Sequence, residues 1–457
     1  MKKKISVTEA IIVLLIMFVL LGVSVIKLGL MPQVPILFII ALLITWALIR
    51  GFNWSDINAG IEKGISGGII PIVIFVLIGA LIGSWIAAGV IPALMLVGFK
   101  IISVQFFVPS VFIVCAIIGT SIGSAFTIIS TIGIALLGMG NALGIDPVLT
   151  SGAIISGAIF GDKTSPLSDS TNLASAIAGS DLFDHIKHLM WTTIPAFIIS
   201  LGFFSFLNPQ ASSTHATTIL NLEQQINSHF TIGWWQAIPI ILMFACALLK
   251  VPAIGTLLLN ITVSVGLIFI QNPHTSLLKI TNILNNGYVM HSSNENLNSL
   301  LTRGGIMSMM PTVALIIITL SLGGLLIKFN IIQTVIDLAT KNIKKTGNLV
   351  LVTILSGIGV NIFVGEQYLS VILPGNAFRK VYDSKGFKPV VLSRILEDGG
   401  TVINYLIPWG VAGSFAATTL GISTQAYLPF VLFSWISPIL SIISGYTGLG
   451  ISKKEQK

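Results

Sequence analysis

Long apolar runs separated by short polar passages dominate the chain. A helix that crosses a lipid bilayer needs about 20 mostly apolar residues. Runs of about this length recur through the sequence, and the shorter ones near 148–160 and 366–378 are predicted as arms of re-entrant hairpins. We therefore expect an all-α polytopic membrane protein with about 11–13 membrane segments. The predicted segments lie near 10–28, 32–50, 65–88, 105–123, 125–143, 148–160, 190–207, 234–250, 252–270, 305–327, 347–364, 401–420 and 427–446.

One apolar run is interrupted by a dense polar passage, Gly157 to Ser180, with Pro166 near its centre. Non-helical backbone persists inside a bilayer only where protein encloses it or where it lines a cavity. An ionisable side chain at that depth indicates an ion or substrate path. The passage therefore predicts a small-ion site. Its candidate binding residues are Asp162, Ser168, Asp169, Ser170, Thr171 and Asn172.

The chemistry of this site follows from its two carboxylates. When close together in a medium of low dielectric constant, Asp162 and Asp169 disfavour double ionisation, so one of them can hold a proton near neutrality. Deprotonated, they offer oxygen ligands to Na⁺, and Asn172 adds an amide oxygen. The alternatives are a structural ion pair that involves Asp162, and helix capping by the hydroxyl residues.

Further polar groups interrupt apolar runs elsewhere. Glu366 and Asn376 are spaced like Asp162 and Asn172, and the intervening Leu-Pro-Gly-Asn predicts another helix break. Glu397 and Asp398 precede a predicted span that opens at Thr401, where acidic residues also suit a helix N-terminus. Thr120 and Ser121 lie in GTSIGS, which fits either helix packing through small residues or a third broken segment. Asp181, Asp184, His185 and His188 share one helical face, for which an interfacial polar role is favoured over a metal site.

A weak internal repeat divides the chain. Residues 63–71 resemble residues 303–311 in length, opening charge and closing proline, and the two blocks start on opposite predicted sides. That arrangement predicts two inverted repeats around a central site. We assign 1–207 to the first half, 208–233 to an external linker and 234–457 to the second half. Basic residues cluster at both termini and at 379–394, which predicts that both termini are cytoplasmic.

Composition narrows the class of protein. Of 457 residues, 54% are hydrophobic and 9% are charged, far from the composition of a soluble domain. The net charge of +8 forms no aromatic-interleaved basic face, so nucleic acid is excluded as a partner. Cys115 and Cys246 both lie in apolar runs and are predicted to be packed core thiols.

Several of these segments resemble one known family. Gly161 to Ala196, GDKTSPLSDSTNLASAIAGSDLFDHIKHLMWTTIPA, resembles the hallmark segment of NhaC-type Na⁺/H⁺ antiporters. GTSIGS at 119–124 and SRILEDGGTVINYLIPW at 393–409 resemble two further family stretches. The resemblance covers essentially the whole chain. It implies a secondary transporter of the bacterial cytoplasmic membrane, with Asp398 and Thr401 facing the first-half site and a homodimer at the family level.

The resemblance also implies the cargo. Na⁺ and H⁺ would be transported at the acidic site by alternating access, with membrane lipid as surroundings and no resident cofactor. Ile122-Gly123-Ser124, Asn404-Tyr405 and Gly410-Val411 depart from the family pattern. These departures leave open a sodium- or proton-coupled carrier of a small organic acid, of the malate–lactate type, or of an amino acid. Lys163 or Arg394 in contact with an anion would favour that alternative. An intramembrane aspartyl protease is disfavoured because the Gly-x-Gly-Asp core is missing.

Overall fold

The computed structural model describes residues 5–101, 106–207, 215–292, 295–341 and 343–454. Within these ranges the chain is helical, apart from loops and two isolated β-bridges, and has no named strand. The helices up to the middle of the chain are α1 Val7–Leu21, α2 Gln33–Ile49, α3 Trp54–Ser66, α4 Ile69–Ala87, α5 Val90–Ile101, α6 Phe107–Ile122, α7 Ala125–Ile128, α8 Ile134–Ala142, α9 Pro147–Thr164, α10 Asp169–Ala178, α11 Leu182–Phe206 and α12 His215–His229. The later helices are α13 Ala237–Leu248, α14 Ala253–Gln271, α15 Leu277–Asn286, α16 Glu295–Leu301, α17 Ile306–Lys328, α18 Ile331–Ala339, α19 Thr346–Val364, α20 Gln367–Ser384, α21 Pro389–Gly399, α22 Val411–Leu420, α23 Thr424–Tyr427 and α24 Leu432–Thr447.

The apolar helices confirm a multi-pass membrane protein. Seven helical segments in the described ranges are long and apolar enough to cross a bilayer, and two sharply bent helix pairs raise the number to nine. The predicted number of 11–13 segments is reached only if shorter apolar helices also enter the membrane. Those helices are α2, α6 and α22.

Small residues set the packing of α6 on α9. A side chain at Gly161 would bring its Cβ within 2.4 Å of the Gly119 Cα, and one at Gly157 would come within 2.4 Å of the Phe112 carbonyl oxygen. The two backbones therefore approach more closely than larger residues permit, as is common where membrane helices associate. This part of the prediction for GTSIGS is confirmed.

Helices from distant parts of the chain pack together. α3 lies against α17, where a Cβ added at Gly324 would be 2.2 Å from the Gly60 carbonyl oxygen. α24 packs on α11, α19 and α21, so the C-terminal helix touches both predicted halves. The first- and second-half elements thus form a shared interior, in which the polar breaks lie.

Several predicted elements differ from the observed ones. The predicted span 401–420 is broken into a 3₁₀ turn, Thr401–Leu406, a short non-helical turn at 407–410 and α22. The predicted break at 373–376 is wrong: Pro374 lies inside continuous α20, because membrane helices tolerate an interior proline when neighbouring groups pack around it. The predicted linker 208–233 contains α12, while 208–214 lies outside the described residues. The inverted repeat stays a prediction.

Candidate functional site

The first helix break forms where Pro166 was expected to end the helix. α9 ends at Thr164, Ser165 is extended, and α10 begins after Ser168, whose side chain accepts a hydrogen bond from the Thr171 backbone N–H at 3.4 Å. The break also contacts a second one: a Cβ at Gly123, where α6 ends, would lie 2.8 Å from the Ser165 Oγ. Two interruptions of the first half therefore meet, and the predicted capping role of Ser168 is confirmed.

The two predicted carboxylates flank this break. Asp162 is half-buried near the end of α9, and Asp169 is exposed at the start of α10. Ser168 and Asp169 both lie close enough to the Asp162 carboxylate to affect its charge state. The two carboxylates that the sequence predicts in one site thus both lie next to this break.

The hydroxyl and amide groups of the passage mainly hold the turn in shape. The Ser168 and Ser170 hydroxyl oxygens are 3.0 Å apart, and Thr171 Oγ1 donates to the Lys163 carbonyl oxygen at 3.2 Å. Asn172 Nδ2 donates to the carbonyl oxygens of Pro166 at 3.0 Å and Ser168 at 2.7 Å. Because the amide nitrogen is used in this way, the Asn172 oxygen is the atom left to bind a cation.

The second half contains a comparable break one residue before Glu366. α19 ends at Gly365, which has a left-handed backbone with φ of 71°, and α20 follows. Glu366 is 3% exposed, and its Oε2 accepts from the Leu369 backbone N–H at 2.8 Å. A carboxylate at a helix N-terminus is favoured by the helix dipole. Glu366 is therefore a buried cap rather than a loop residue.

One cavity joins the two breaks. It has a volume of about 370 Å³ and is lined by Asp169, Glu366 and Tyr368, with apolar residues such as Leu320 around them. Tyr368 lies within electrostatic range of Asp162 as well as of Asp169 and Glu366. Two carboxylates from opposite halves of the chain thus line one space, which is large enough for a cation with part of its hydration shell, and Asp162 lies near Tyr368 without lining it.

Asp398 faces a different group of residues. It is fully buried and pairs with Lys163, which is 1% exposed. Ser437 donates to Asp398 Oδ1 at 2.5 Å, and Thr192 and Ser441 donate to Oδ2 at 3.0 and 2.8 Å. Four donors therefore occupy its two oxygens. We leave Asp398 out of the cation site for that reason.

The other four predicted site residues, Thr120, Ser121, Asn376 and Thr401, lie outside the cavity. Thr401 Oγ1 donates to the Glu397 carbonyl oxygen at 3.1 Å, and Thr120 Oγ1 lies 2.8 Å from the Thr164 hydroxyl. Ser121 is exposed and donates to its own helix, and Asn376 lies on the exposed face of α20. None of these four lines the cavity.

Sequence reasoning missed the serine face of α24. Ser434, Ser437, Ser441 and Ser444 recur at helical spacing; Ser437, Ser441 and Ser444 bind side chains of α21, and Ser434 binds the backbone of the 3₁₀ turn that follows it. This spacing is visible in the sequence and would have identified the face. A buried amide pair was also missed, in which Asn404 Nδ2 donates to Asn361 Oδ1 at 2.7 Å and Asn404 Oδ1 accepts from the Ala412 backbone N–H at 2.8 Å.

The histidine face of α11 is buried rather than interfacial. His185 is 0% and His188 7% exposed, because this face packs against α21. In the described part of the chain, no cluster of three or more His, Cys, Asp or Glu side chains is arranged to hold a metal ion. The predicted interfacial polar face is therefore wrong for the two histidines, which are buried in protein, while Asp181 and Asp184 are exposed.

Broken helices that meet at an acidic cavity inside an all-helical bundle define the class: a multi-pass membrane protein built like a secondary transporter. The sequence model of the Na⁺/H⁺ antiporter family matches residues 3–171 and 157–449. The chain belongs to this family.

Relatives of known name agree with the family match. The Na⁺/H⁺ antiporter NhaC of Alkalihalophilus pseudofirmus is 36% identical over 455 residues, which cover 100% of this chain and 98% of the relative. The Na⁺/H⁺ antiporter NhaC of Bacillus subtilis is 39% identical, over 91% of this chain and 92% of the relative. The malate-2H⁺/Na⁺-lactate antiporter of Bacillus subtilis is 34% identical, over 90% and 89%. These relatives are transporters, and the chain is not an enzyme.

Proposed function

We propose that this protein exchanges Na⁺ for H⁺ across the bacterial cytoplasmic membrane. The cation site consists of Asp162 and Asp169 at the first break, with the Asn172 oxygen and with Glu366 at the second break. Na⁺ and protons compete for these carboxylates, because a proton on either one removes the charge that binds the cation. The cargo requires no resident cofactor. Both termini are cytoplasmic in this proposal.

The observation that carries the proposal is the shared cavity. Asp169 and Glu366 are far apart in sequence, yet both line one space of about 370 Å³. Clustered carboxylates are costly in a membrane protein unless a cation or protons neutralise them. A site bordered by two helix breaks also suits alternating access, since the halves on either side can rock around it. The family membership and the names of the relatives support the same exchange.

The second candidate is a Na⁺- or H⁺-coupled carrier of a small organic acid or amino acid. The malate–lactate relative favours it. The buried cations do not, because Lys163 pairs with Asp398, and Arg394 donates to the Gly450 carbonyl oxygen at 3.0 Å and to Ser444 Oγ at 2.8 Å. Both positive groups that would bind a carboxylate are thus engaged by the protein itself.

Transport by the purified protein in proteoliposomes tests the proposal. A pH-sensitive dye inside the vesicles reports proton movement when Na⁺, Li⁺, K⁺ or short carboxylates are added outside. We expect a response to Na⁺ that is lost in Asp169→Asn and in Asp162→Asn but kept in Asp337→Asn, a matched change at an exposed position on α18. Full activity of Asp169→Asn, or proton movement that requires a carboxylate, would overturn the assignment.

A further inference from the structure

Two buried titratable side chains, His185 on α11 and Glu397 on α21, are left without hydrogen-bond partners. Both are 0% exposed, and neither the ring nitrogens of His185 nor the carboxylate oxygens of Glu397 have a partner among the described residues. They face each other, with His185 Nε2 3.6 Å from Glu397 Oε1. The neighbouring Asp398 receives four donors, so the lack of donors at Glu397 is not a general property of this region.

An ionised carboxylate without donors in a protein interior is strongly destabilised. One proton on the pair removes this cost in either of two ways. On Glu397, it makes the side chain neutral and lets the O–H donate to His185 Nε2. On His185, it creates an imidazolium that pairs with the carboxylate. Without this proton, Glu397 is ionised beside a neutral imidazole and the pair has a net charge of −1. With the proton on either residue, the net charge of the pair is zero.

We propose that Glu397 and His185 form a second, buried proton-binding site that is coupled to the cation site. The proposal rests on the proposed function. Its geometric basis is the Lys163–Asp398 ion pair: Asp162 directly precedes Lys163 and Glu397 directly precedes Asp398, so this contact brings α9 and α21 together where both carboxylates lie. A negative charge on Asp162 favours the proton on the pair, whereas Na⁺ bound at Asp162 cancels that charge and favours release of the proton. Linkage is reciprocal, so a proton on the pair weakens Na⁺ binding by the same factor.

Other charged and titratable groups surround the pair, and they leave it without a permanent counter-ion. Lys163 is engaged by Asp398, and Arg394 by Gly450 and Ser444. α19, which also packs on α21, carries no charged or titratable side chain. The groups on the elements around α21 are Asp162 and Lys163 on α9, Asp169 on α10, His188 on α11, Tyr368 and Tyr382 on α20, Arg394 and Asp398 on α21, Tyr405 in the 3₁₀ turn and Tyr446 on α24. Asp184 and Lys187 on α11 and Arg379, Lys380 and Asp383 on α20 are exposed, away from the buried pair.

The first test detects the proton itself. Infrared difference spectra between acid and alkaline conditions contain the carbonyl stretching band of each protonated carboxylic acid that titrates. We expect Glu397→Gln to lose one such band relative to the wild type. His185→Gln should shift that band, because the carboxylic acid loses its imidazole acceptor. His188→Gln, a matched change on the same helix, should leave it in place. A spectrum of Glu397→Gln that keeps every wild-type band overturns the proposal without reference to Na⁺.

The second test measures the coupling. The assay is exchange of radiolabelled Na⁺ for unlabelled Na⁺ in proteoliposomes, which needs no net proton movement. The quantity measured is the Na⁺ concentration that gives half-maximal exchange, determined at a series of pH values. Each coupled proton changes that concentration by up to about tenfold per pH unit, so a variant that has lost one coupled proton should lack that part of the pH dependence. We expect this reduction in Glu397→Gln and a smaller one in His185→Gln. The pH dependence of His188→Gln should match the wild type.

The outcomes separate the two proposals. A wild type that exchanges Na⁺, with an unchanged pH dependence in Glu397→Gln, overturns the buried site and leaves the antiport proposal intact. A wild type that moves no Na⁺ overturns the antiport proposal and the coupling, while the infrared test still decides whether the pair binds a proton. Complete loss of Na⁺ exchange in folded Glu397→Gln would place Glu397 in the cation site and overturn the inference. If Glu397→Gln does not reach the membrane, Glu397→Asp and His185→Gln take its place. Both keep a carboxylic acid at position 397, so each should shift the carbonyl band, and an unshifted band in both variants overturns the proposal.

Discussion

Removing Asp398 tests whether its ion pair with Lys163 stabilises the fold or whether the carboxylate binds the cargo. Asp398→Asn leaves the Lys163 ammonium group, which is 1% exposed, without its counter-charge. Breaking a buried pair from one side costs about 3–5 kcal/mol, because the remaining charge stays desolvated. Lys163 keeps the Ser437 hydroxyl at 2.9 Å and the face of Phe433 at 5.6 Å, and neither neutralises it.

The opposite change should cost less. Lys163→Met leaves Asp398 with three hydroxyl donors, from Thr192, Ser437 and Ser441, which partly stabilise its charge. The double variant, Lys163→Met with Asp398→Asn, removes both charges and should recover much of the lost stability. We therefore expect the order of stability to be wild type, then the double variant, then Lys163→Met, with Asp398→Asn lowest.

Thermal unfolding of the detergent-purified protein measures this order. With the unfolding entropy of a chain of this length, a loss of 3–5 kcal/mol lowers Tm by roughly 3–5 °C. Asp337→Asn serves as the matched control at an exposed site. A Tm of Asp398→Asn equal to that control, or strict additivity in the double variant, would refute the structural role. A double variant that regains stability but not Na⁺ exchange would restore Asp398 as a cargo ligand.

Two further predictions concern packing and orientation. Gly161→Ala should lower Tm, because its Cβ would lie 2.4 Å from the α6 backbone. Gly202→Ala is the control and should leave Tm unchanged, because Gly202 has open space around it. Equal Tm values for the two variants would contradict the observed packing of α6 on α9. A cysteine at exposed Gln224 should react with an impermeant maleimide from outside intact cells, and one at exposed Ser384 only after permeabilisation, with little background because both native cysteines are buried. Labelling of both positions from the same side would contradict the assigned orientation.

Local signals account for what the sequence predicts well. Pro166 and the dense polar residues around it mark a helix break, and Ser168 is a typical N-cap residue, so the first helix break could be located from the sequence. The sequence predicts the second break at Pro374, yet it lies at Gly365. Proline is a strong signal in sequence, but a left-handed glycine followed by a capping Glu366 is what ends α19. A weaker local signal therefore determined the structure.

Contacts between distant residues are what the sequence leaves open. Lys163 and Asp398 are separated by 235 positions, and no periodic pattern links them. Asn404 was noticed only as a departure from the family pattern, although its amide joins Asn361 to the backbone of Ala412. The exposure of Asp169 and the burial of Glu366 likewise follow from the packing of remote helices. Tertiary packing, rather than local propensity, determines the charge environment of the site.

The adjacent charges of α9 and α21 explain why a structural ion pair lies beside the proposed cation site. α9 carries Asp162 next to Lys163, and α21 carries Glu397 next to Asp398. The attractive contact between Lys163 and Asp398 therefore also brings the like-charged Asp162 and Glu397 within electrostatic range of each other. Without the Lys163–Asp398 pair, repulsion between these two carboxylates would drive the helices apart whenever both are ionised. The Lys163–Asp398 pair is always attractive, and it keeps α9 and α21 together while the charges of Asp162 and Glu397 change. Loss of the Lys163–Asp398 pair should consequently disturb proton coupling as well as stability, even though neither residue lines the cavity.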